Sequence, residues 1–349
     1  MIQIAEIFQP SPEPWWDWIR QAGVTRAVSL LQAGEQNVRW LRAVPGSRVD
    51  QPLGRVTAPP RGARCWERPA LQQVQATYRD AGFDLVALED TPPMDLVRTA
   101  RAGRDEQIEW FCDMVRAMGD LEIPVLCYNW LVIATWARTD VQVPARGGAL
   151  TTGFVEEVAR GLPALVDEDE VRHDQLWEGL EYFLRAVVPV AEEAGVKLAM
   201  HPDDPPLQRV RGVPRIMGSV QAFQRLIDLV PSPANGVTLC QGNFALMTED
   251  LPDAIRTLGP HIHFVHFRDV RGTAENFVET FHDDGQTDLL ACMEAYRDIG
   301  FEGVLRPDHV PTLSSESNDR PGYAVLGRLH ALGYINGLRE ATYRVPPAT

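Results

Sequence analysis

Eight short apolar segments alternate with longer amphipathic segments along this chain of 349 residues, and their order predicts a (β/α)8 TIM barrel, an α/β fold. A strand and a helix that repeat eight times can close into a ring, because each crossover between parallel strands is right-handed. The length is also typical of this fold as a single domain, so we expect one domain over residues 1–349. A doubly wound open sheet is the alternative architecture.

The predicted strands are rich in valine, isoleucine, leucine and phenylalanine, which suit strands that are buried on both faces. In chain order they cover residues 2–8, 25–31, 84–90, 123–129, 196–202, 236–242, 262–269 and 303–309. Amphipathic helices are predicted at residues 104–121, 174–195, 220–230, 287–300 and 322–341, and several end at a glycine that favours a C-cap. Residues 33–68 and 141–170 fit the repeat poorly. They are predicted to be insertions between a strand and its helix, the second over the mouth of the barrel.

The charge balance and the cysteines argue against several functional classes. The net charge is −15, from 48 acidic and 33 basic residues, so the chain repels phosphate backbones and we expect no nucleic-acid partner. The five cysteines are scattered without a CxxC pair, which argues against a disulfide framework. The N-terminus lacks a signal-peptide pattern and no apolar run is long enough to span a bilayer, so we expect a cytoplasmic protein without a membrane partner. No GxGxxG motif follows a first strand and no GxxxxGK[ST] motif is present, which weakens dehydrogenase and kinase interpretations.

Potential metal ligands lie at the C-terminal ends of four successive predicted strands. They are His201 in LAMHPDD, Cys240 in VTLCQGN, His266 in HFVHFRD and Asp308 in VLRPDH. In a barrel these ends converge on one face, where the catalytic groups of this fold lie. Two imidazoles, a thiolate and a carboxylate suit a manganese, iron or zinc ion, whereas magnesium and calcium prefer oxygen ligands. Each residue alone also has a structural interpretation, as a hydrogen-bonded histidine or a packed cysteine.

Four further residues near the same face are candidates for catalysis or substrate binding. His309 and Tyr323 can exchange protons, and we expect Tyr323 to act as the base and His309 as the acid. Arg268 and Arg306 stand beside metal candidates and can hold a substrate carboxylate by a bidentate contact. Packing, capping or a structural ion pair is the competing interpretation for each.

Polar residues on the neighbouring segments complete the predicted site. Asn129 and Arg138 are expected to line the mouth of the barrel, and we expect Asn129 and Asp203 to bind the substrate there. Asp203 and Asp204 either form a turn or orient a ligand, because aspartate next to proline is typical of turns. His263 is predicted to be structural, since the two-residue period of a strand places it off the face of the metal candidates.

Several segments together resemble the mannonate dehydratases of the xylose-isomerase-like TIM-barrel group. The matching segments are RQAGV, RDEQIE, CYNW followed by WARTD, PVAEEAGVKLAMHPDDPP, TLCQGN, HFVHFRDV, and RPDH with PGYAVLGRLHALGYINGL. They occur in the family's order from the second strand to the C-terminal helix, and HPDDPP with RPDH is the most specific combination. The chain departs from the family in a compact VQVPARGGALTTGF after WARTD, and in ENFVETFHDDGQTDLL, which replaces a longer stretch that contains histidine.

The resemblance implies a divalent-metal lyase, usually dependent on manganese or iron, that converts D-mannonate to 2-keto-3-deoxy-D-gluconate with loss of water. By motif position, the family's ligands fall on the four metal candidates, and its proton-transfer pair falls on His309 and Tyr323. A metal-dependent sugar isomerase or epimerase on the same barrel is the alternative, as is a dehydratase of another aldonate. We also expect a homo-oligomer.

Overall fold

The computed structural model describes residues 1–31, 64–133, 136–165 and 170–344. Most of the predicted insertion at residues 33–68 lies outside these ranges. Within them, the strands are β1 Gln3–Ile4, β2 Glu6–Ile7, β3 Arg26–Ser29, β4 Asp84–Leu88, β5 Val125–Asn129, β6 Asp140–Pro144, β7 Leu150–Val155, β8 Lys197–His201, β9 Arg209–Val210, β10 Val213–Pro214, β11 Asn235–Cys240, β12 Ile262–Phe267, β13 Val270–Thr273, β14 Asn276–Glu279 and β15 Val304–Pro307. The helices are α1 Trp16–Gln21, α2 Arg68–Asp80, α3 Asp95–Arg98, α4 Arg104–Asp120, α5 Glu156–Arg160, α6 His173–Ala194, α7 Val220–Leu229, α8 Gln241–Ala245, α9 Leu251–Leu258, α10 Leu289–Asp298 and α11 Val325–Arg344.

The main sheet is parallel and closes into a barrel. Its order is β1-β15-β12-β11-β8-β5-β4-β3-β2. β1 pairs with β15 and β2 pairs with β3, yet both belong to the first predicted strand. Because the two ends of the sheet meet in this one segment, the sheet forms a ring. The eight predicted strands and the TIM barrel are confirmed, and the open sheet is wrong.

Two apolar clusters flank the barrel wall. The smaller one consists almost entirely of strand residues and fills the interior: Ala5, Ile7, Val28, Leu30, Val86, Ala87, Val125, Cys127, Ala199, Phe264 and Val304. The larger one lies between the strands and the surrounding helices. Packing on both faces explains why the strands are apolar without a polar alternation.

The predicted helices are confirmed, and α6 shows why they form. Its buried residues recur every three or four positions, as in Leu176, Leu180 and Leu184, so one stripe faces the barrel. At its start, Gln175 Oε1 accepts a hydrogen bond from the Arg172 backbone N–H at 3.1 Å. At its end, Gly195 adopts the left-handed conformation with φ of 69°. No helix in the described part of the chain is both long enough and apolar enough to cross a bilayer.

A second, four-stranded antiparallel sheet has the order β13-β14-β7-β6. The predicted insertion at residues 141–170 supplies β7 and most of β6, and the connection that leaves β12 supplies β13 and β14. A bridge between Leu150 and Thr312 joins this sheet to the loop after β15. The sheet is therefore attached to the end of the barrel where the strands finish.

His263 has a structural contact across the barrel wall. Its Nδ1–H donates to the backbone oxygen of Leu198 at 2.7 Å, on a strand that is not its direct neighbour. The ring passes over Gly236 on the intervening strand β11, where an added Cβ would lie 2.4 to 2.5 Å from ring atoms of His263. A glycine at this position therefore allows the ring to reach across.

Candidate active site

Four neighbouring strands of the barrel carry the predicted metal ligands to one end. His201 is the last residue of β8, and Cys240 is the last residue of β11. His266 lies one residue before the end of β12, and Asp308 directly follows β15. In the sheet, β8, β11, β12 and β15 are successive neighbours, so the four side chains share one end of the barrel.

The potential ligand atoms of these four residues, which we call the metal cluster, lie close together. One ligand atom from each of His201, Cys240 and His266 lies within 4.8 Å of the others. Asp308 Oδ2 lies 3.6 Å from Cys240 Sγ and 3.9 Å from His266 Nδ1. The structure thus brings all four predicted ligands together, and their donor set fits one divalent transition ion.

The hydrogen bond of His201 leaves its Nε2 atom available as a potential metal ligand. Its Nδ1 lies 2.7 Å from the Pro202 carbonyl oxygen, and because a carbonyl only accepts, Nδ1 carries the proton. Desolvation lowers the pKa of His201, which favours the neutral ring. A neutral ring with its proton on Nδ1 leaves a lone pair on Nε2, as metal ligation requires.

Glu89 is a site residue that our sequence interpretation missed. Its Oε2 lies 3.3 Å from His266 Nε2, and Arg306 contacts its two oxygens at 2.7 and 2.9 Å. Burial alone would raise the pKa of Glu89, but Arg306 and His266 lower it to about 2. An ionised carboxylate behind a histidine typically orients the ring towards a metal. Glu89 stands at the end of the predicted strand DLVALED, so the strand-end criterion used for the metal candidates would have found it.

The predicted proton-transfer pair lies beside Asp308. The rings of His309 and Tyr323 pack edge to face with centroids 5.2 Å apart. Tyr323 donates a long hydrogen bond of 3.5 Å to Asp308 Oδ1, and His309 Nε2 lies 3.9 Å from the same oxygen. Desolvation and the Asp308 charge raise the pKa of Tyr323 well above its ordinary value. A raised pKa favours the protonated hydroxyl, which is the form that acts as an acid, rather than the base expected from the sequence.

Two arginines and two carboxylates, which we call the charge network, lie next to this pair. Arg138 binds both oxygens of Asp204, at 2.6 and 3.0 Å, and also binds Glu279. Arg268 binds both oxygens of Glu279, at 3.0 and 2.9 Å, and contacts Asp204 at 3.0 Å. None of the four residues is more than 2% exposed, so every charge in the network depends on its partners.

Glu279 was also missed, although a weak signal exists in the sequence. It ends β14, in which Phe277 and Glu279 are buried while Asn276 is exposed. The two-residue period of a strand therefore places the glutamate on the same face as the phenylalanine. A glutamate in phase with an aromatic residue on a short strand indicates a buried, paired carboxylate.

Asn129 and Asp203, which we predicted to bind substrate, have protein partners. Asn129 ends β5 beside His201, and its Oδ1 accepts from Arg98 at 3.2 Å. Asp203 Oδ2 accepts from the Met217 backbone N–H at 2.6 Å. Burial raises the pKa of Asp203 to about 6. Asp203 therefore has a structural contact that joins the loop after β8 to the segment after β10.

Arg268 and Arg306, the other two predicted substrate ligands, are likewise engaged. Besides the charge network, Arg268 contacts Asp308 through Nε at 2.8 Å and Asn243 through Nη2 at 2.8 Å. Arg306 binds Glu89, and its Nη1 lies 3.0 Å from Asp308. Both guanidiniums are fully buried. The geometry supports a role in holding acidic groups of the site in place rather than in binding a substrate carboxylate.

Two other groups of potential ligands in the described residues fit a metal less well. Glu89 and Cys127 approach His266, but Glu89 is already paired with Arg306, and burial raises the pKa of the Cys127 thiol well above its ordinary value. The third group combines His309 with the two carboxylates of the charge network, which already bind two guanidiniums. The metal cluster is therefore the best candidate.

Comparison with known proteins identifies the family of this chain. The family model described as D-mannonate dehydratase (UxuA) matches residues 19–169 and 156–346. This chain belongs to that family. The chain is 34% identical to the mannonate dehydratase of Enterococcus faecalis, over 79% of this chain and 87% of that protein. It is 31% identical to the mannonate dehydratase of Streptococcus pneumoniae, over 88% of this chain and 91% of that protein. The predicted family, with its class of hydro-lyases, is confirmed.

Solved structures agree with the D-mannonate dehydratase family and with the barrel. The crystal structure of mannonate dehydratase from Streptococcus suis serotype 2 superposes with a TM-score of 0.84 at 28% identity, and covers 99% of this chain and 94% of that chain. An L-ribulose 3-epimerase superposes with a TM-score of 0.58 at 15% identity, covering 99% of this chain and 96% of that chain. This second likeness concerns the fold alone.

Proposed function

We propose that this family member dehydrates D-mannonate to 2-keto-3-deoxy-D-gluconate with one divalent metal ion bound by the metal cluster. The observation that carries the proposal is the convergence of four potential ligands, from strands far apart in the chain, beside a histidine and a tyrosine. Curated relatives at 31% and 34% identity are mannonate dehydratases, which supports the same substrate.

The mixed donor set supports manganese or iron as the metal. Two imidazoles and a thiolate are poor ligands for magnesium or calcium, which prefer oxygen. When bound, such an ion would stabilise the negative charge that develops on the substrate carboxylate as the C2 proton leaves. The chain itself supplies the ligands and, through Glu89 and Pro202, the contacts that orient the two histidines.

The reaction requires two proton transfers, and His309 and Tyr323 can provide both. One group takes the proton from C2, the electron pair forms the C2–C3 double bond, and the C3 hydroxyl leaves as water after the other group protonates it. The resulting enol then becomes the 2-keto acid. The two ring centroids lie 5.2 Å apart, and both side chains lie within 4 Å of Asp308 Oδ1, which is compatible with a substrate that contacts both.

The cellular setting and assembly are part of the proposal. The five cysteines are free thiols, which is consistent with a reducing cytoplasm. The net charge of −15 supports a small-molecule substrate rather than nucleic acid. A homo-oligomer stays a prediction, which size-exclusion chromatography with light scattering would test.

The proposal is tested with the purified chain, manganese or iron(II), and a panel of aldonates that includes D-mannonate and its C2 epimer D-gluconate. We expect a 2-keto-3-deoxy acid from D-mannonate, and a slower reaction or none from the other acids. Formation of an isomer or epimer without loss of water would replace the dehydratase with the isomerase alternative. Turnover of another aldonate alone would overturn the assigned substrate.

A further inference from the structure

We propose that Glu279 is a positioning residue that sets the tautomer and the orientation of His309. This inference rests on the dehydratase function proposed above and deepens it, because it names a residue through which the proton-transfer pair is prepared. Glu279 does not contact the metal cluster through any hydrogen bond among the described residues, and it acts through the imidazole.

The inference depends on a short hydrogen bond in which the carboxylate can only be the acceptor. Glu279 Oε1 lies 2.8 Å from His309 Nδ1. Burial alone would raise the pKa of Glu279, but Arg268, His309 and Arg138 lower it to about 2, so the carboxylate is ionised and can only accept. The proton of a neutral His309 ring must therefore sit on Nδ1. The lone pair is then on Nε2, which faces Asp308 Oδ1 at 3.9 Å.

The carboxylate itself is held rigidly. Arg268 binds both of its oxygens, and Arg138 binds Oε1. The Glu279 side chain is 1% exposed, so no solvent competes for these oxygens. Two fixed guanidiniums prevent the carboxylate from rotating, and a fixed carboxylate selects one tautomer of the ring it faces.

Neighbouring groups hold the His309 ring without choosing its tautomer. Trp136 and Tyr323 pack against the ring at centroid distances of 5.0 and 5.2 Å. Arg138 Nη2 also lies 3.3 Å from Nδ1, farther than Glu279 and already bonded to both carboxylates of the charge network. A guanidinium always donates, so Arg138 alone would favour the opposite tautomer. Of the groups around the ring in the part of the chain that the structure describes, Glu279 is therefore the one that places the proton on Nδ1 of His309.

The chain offers a matched control in Asp204. Like Glu279, Asp204 is a buried carboxylate that binds both Arg138 and Arg268. Its hydrogen bonds in the described residues do not include His309. Asp204→Asn therefore removes the same charge from the same two arginines but leaves the contact between Glu279 and His309.

The experiment compares Glu279→Gln with Asp204→Asn in the manganese-loaded chain. We expect Glu279→Gln to lower kcat by about 10²- to 10⁴-fold, because an amide behind a histidine permits the wrong tautomer. KM and metal content should change little. Asp204→Asn should lower kcat by no more than about tenfold, since the histidine keeps its partner. Both variants should show a similar fall in Tm, because each removes one carboxylate from the same arginines.

A proton NMR spectrum gives a readout that does not depend on turnover. The Nδ1–H of His309, bonded to a carboxylate, should give a low-field signal that is absent from His309→Gln, altered in Glu279→Gln and retained in Asp204→Asn. Equal losses of kcat in the two carboxylate variants, or a wild type without this signal, would overturn the inference. If Glu279→Gln does not fold, Glu279→Asp keeps the charge, should fold and should still lower kcat.

Failure of the proposed function is distinguishable from failure of this inference. A wild type that dehydrates no aldonate overturns the function, and the low-field signal then decides the contact alone. A wild type that dehydrates D-mannonate, with Glu279→Gln as active as Asp204→Asn, overturns the positioning role and leaves the function in place.

Discussion

The metal cluster and the charge network lie side by side, but the chain builds them differently. Each member of the metal cluster stands at the end of a barrel strand, so the ring of parallel strands places it. The charge network instead joins residues from loops, a barrel strand end and the small antiparallel sheet. Arg138 and Glu279, for example, are 141 residues apart in the chain.

This difference separates two kinds of functional contribution. The metal cluster is predicted to supply the ligands for an ion, and its residue types alone indicate that chemistry. The charge network consists of arginines and carboxylates that pair with one another, and we propose that it affects the reaction through the contact of Glu279 with His309. Substitutions in the two regions should therefore differ in what they remove: the metal in one case, and stability or the rate constant in the other.

The largest effect is expected from loss of a metal ligand. His201→Ala should lose bound metal and lower activity by more than the roughly 10- to 100-fold that is typical for residues that only orient a ligand. Metal content by plasma mass spectrometry and turnover of D-mannonate measure both. His330→Ala, on α11 and outside the site, is the control and should keep its metal. A metal-replete, active His201→Ala would contradict the ligand assignment.

Loss of the Tyr323 hydroxyl should separate proton transfer from metal binding. Tyr323→Phe should keep the metal but lower kcat by about 10²- to 10⁴-fold, the usual contribution of a general acid or base. Steady-state kinetics with metal analysis tests this, and Tyr334→Phe on α11 is the matched control. Turnover near that of the wild type would remove Tyr323 from the mechanism.

Removal of one arginine from the charge network should lower the stability of the fold. Arg138→Met leaves Asp204 and Glu279 with one guanidinium instead of two, so the free energy of unfolding should fall by about 3 to 5 kcal/mol. Urea denaturation measures the change. Arg185→Met breaks the exposed pair with Glu181 and should cost about 1 kcal/mol or less. Equal losses would show that burial of the network has no energetic consequence.

The smallest effect is expected on the wall of the barrel, away from both regions. Gly236→Ala places a Cβ against the ring of His263 and should lower the free energy of unfolding by about 1 to 3 kcal/mol. Gly333→Ala, in α11 with open space around it, should be neutral or stabilising by up to about 1 kcal/mol. If Gly236→Ala leaves the free energy of unfolding unchanged, then the ring of His263 can cross β11 even when residue 236 carries a Cβ.

The sequence-based predictions were accurate for features that depend on local interactions, and they missed contacts between segments that are distant in the chain. The strand predicted at residues 236–242 is found as Asn235–Cys240, because β-branched and apolar residues suit a strand buried on both faces. The position of Cys240 at its end then followed from the barrel. The partners of Arg268 and Arg306 did not follow, since a sequence does not show which buried carboxylate lies opposite an arginine.

The amino-acid sequence by itself determined the barrel and the set of potential metal ligands, because hydrophobic periodicity and residue type act locally and each strand end in a ring faces the same way. Only the tertiary structure decided that Glu89 contacts the imidazole of His266 and that Glu279 contacts the imidazole of His309. Those contacts join segments from separate parts of the chain, such as Glu89 and Arg306, which are 217 residues apart. A buried charge is stable only where a partner is brought to it, and the fold brings that partner.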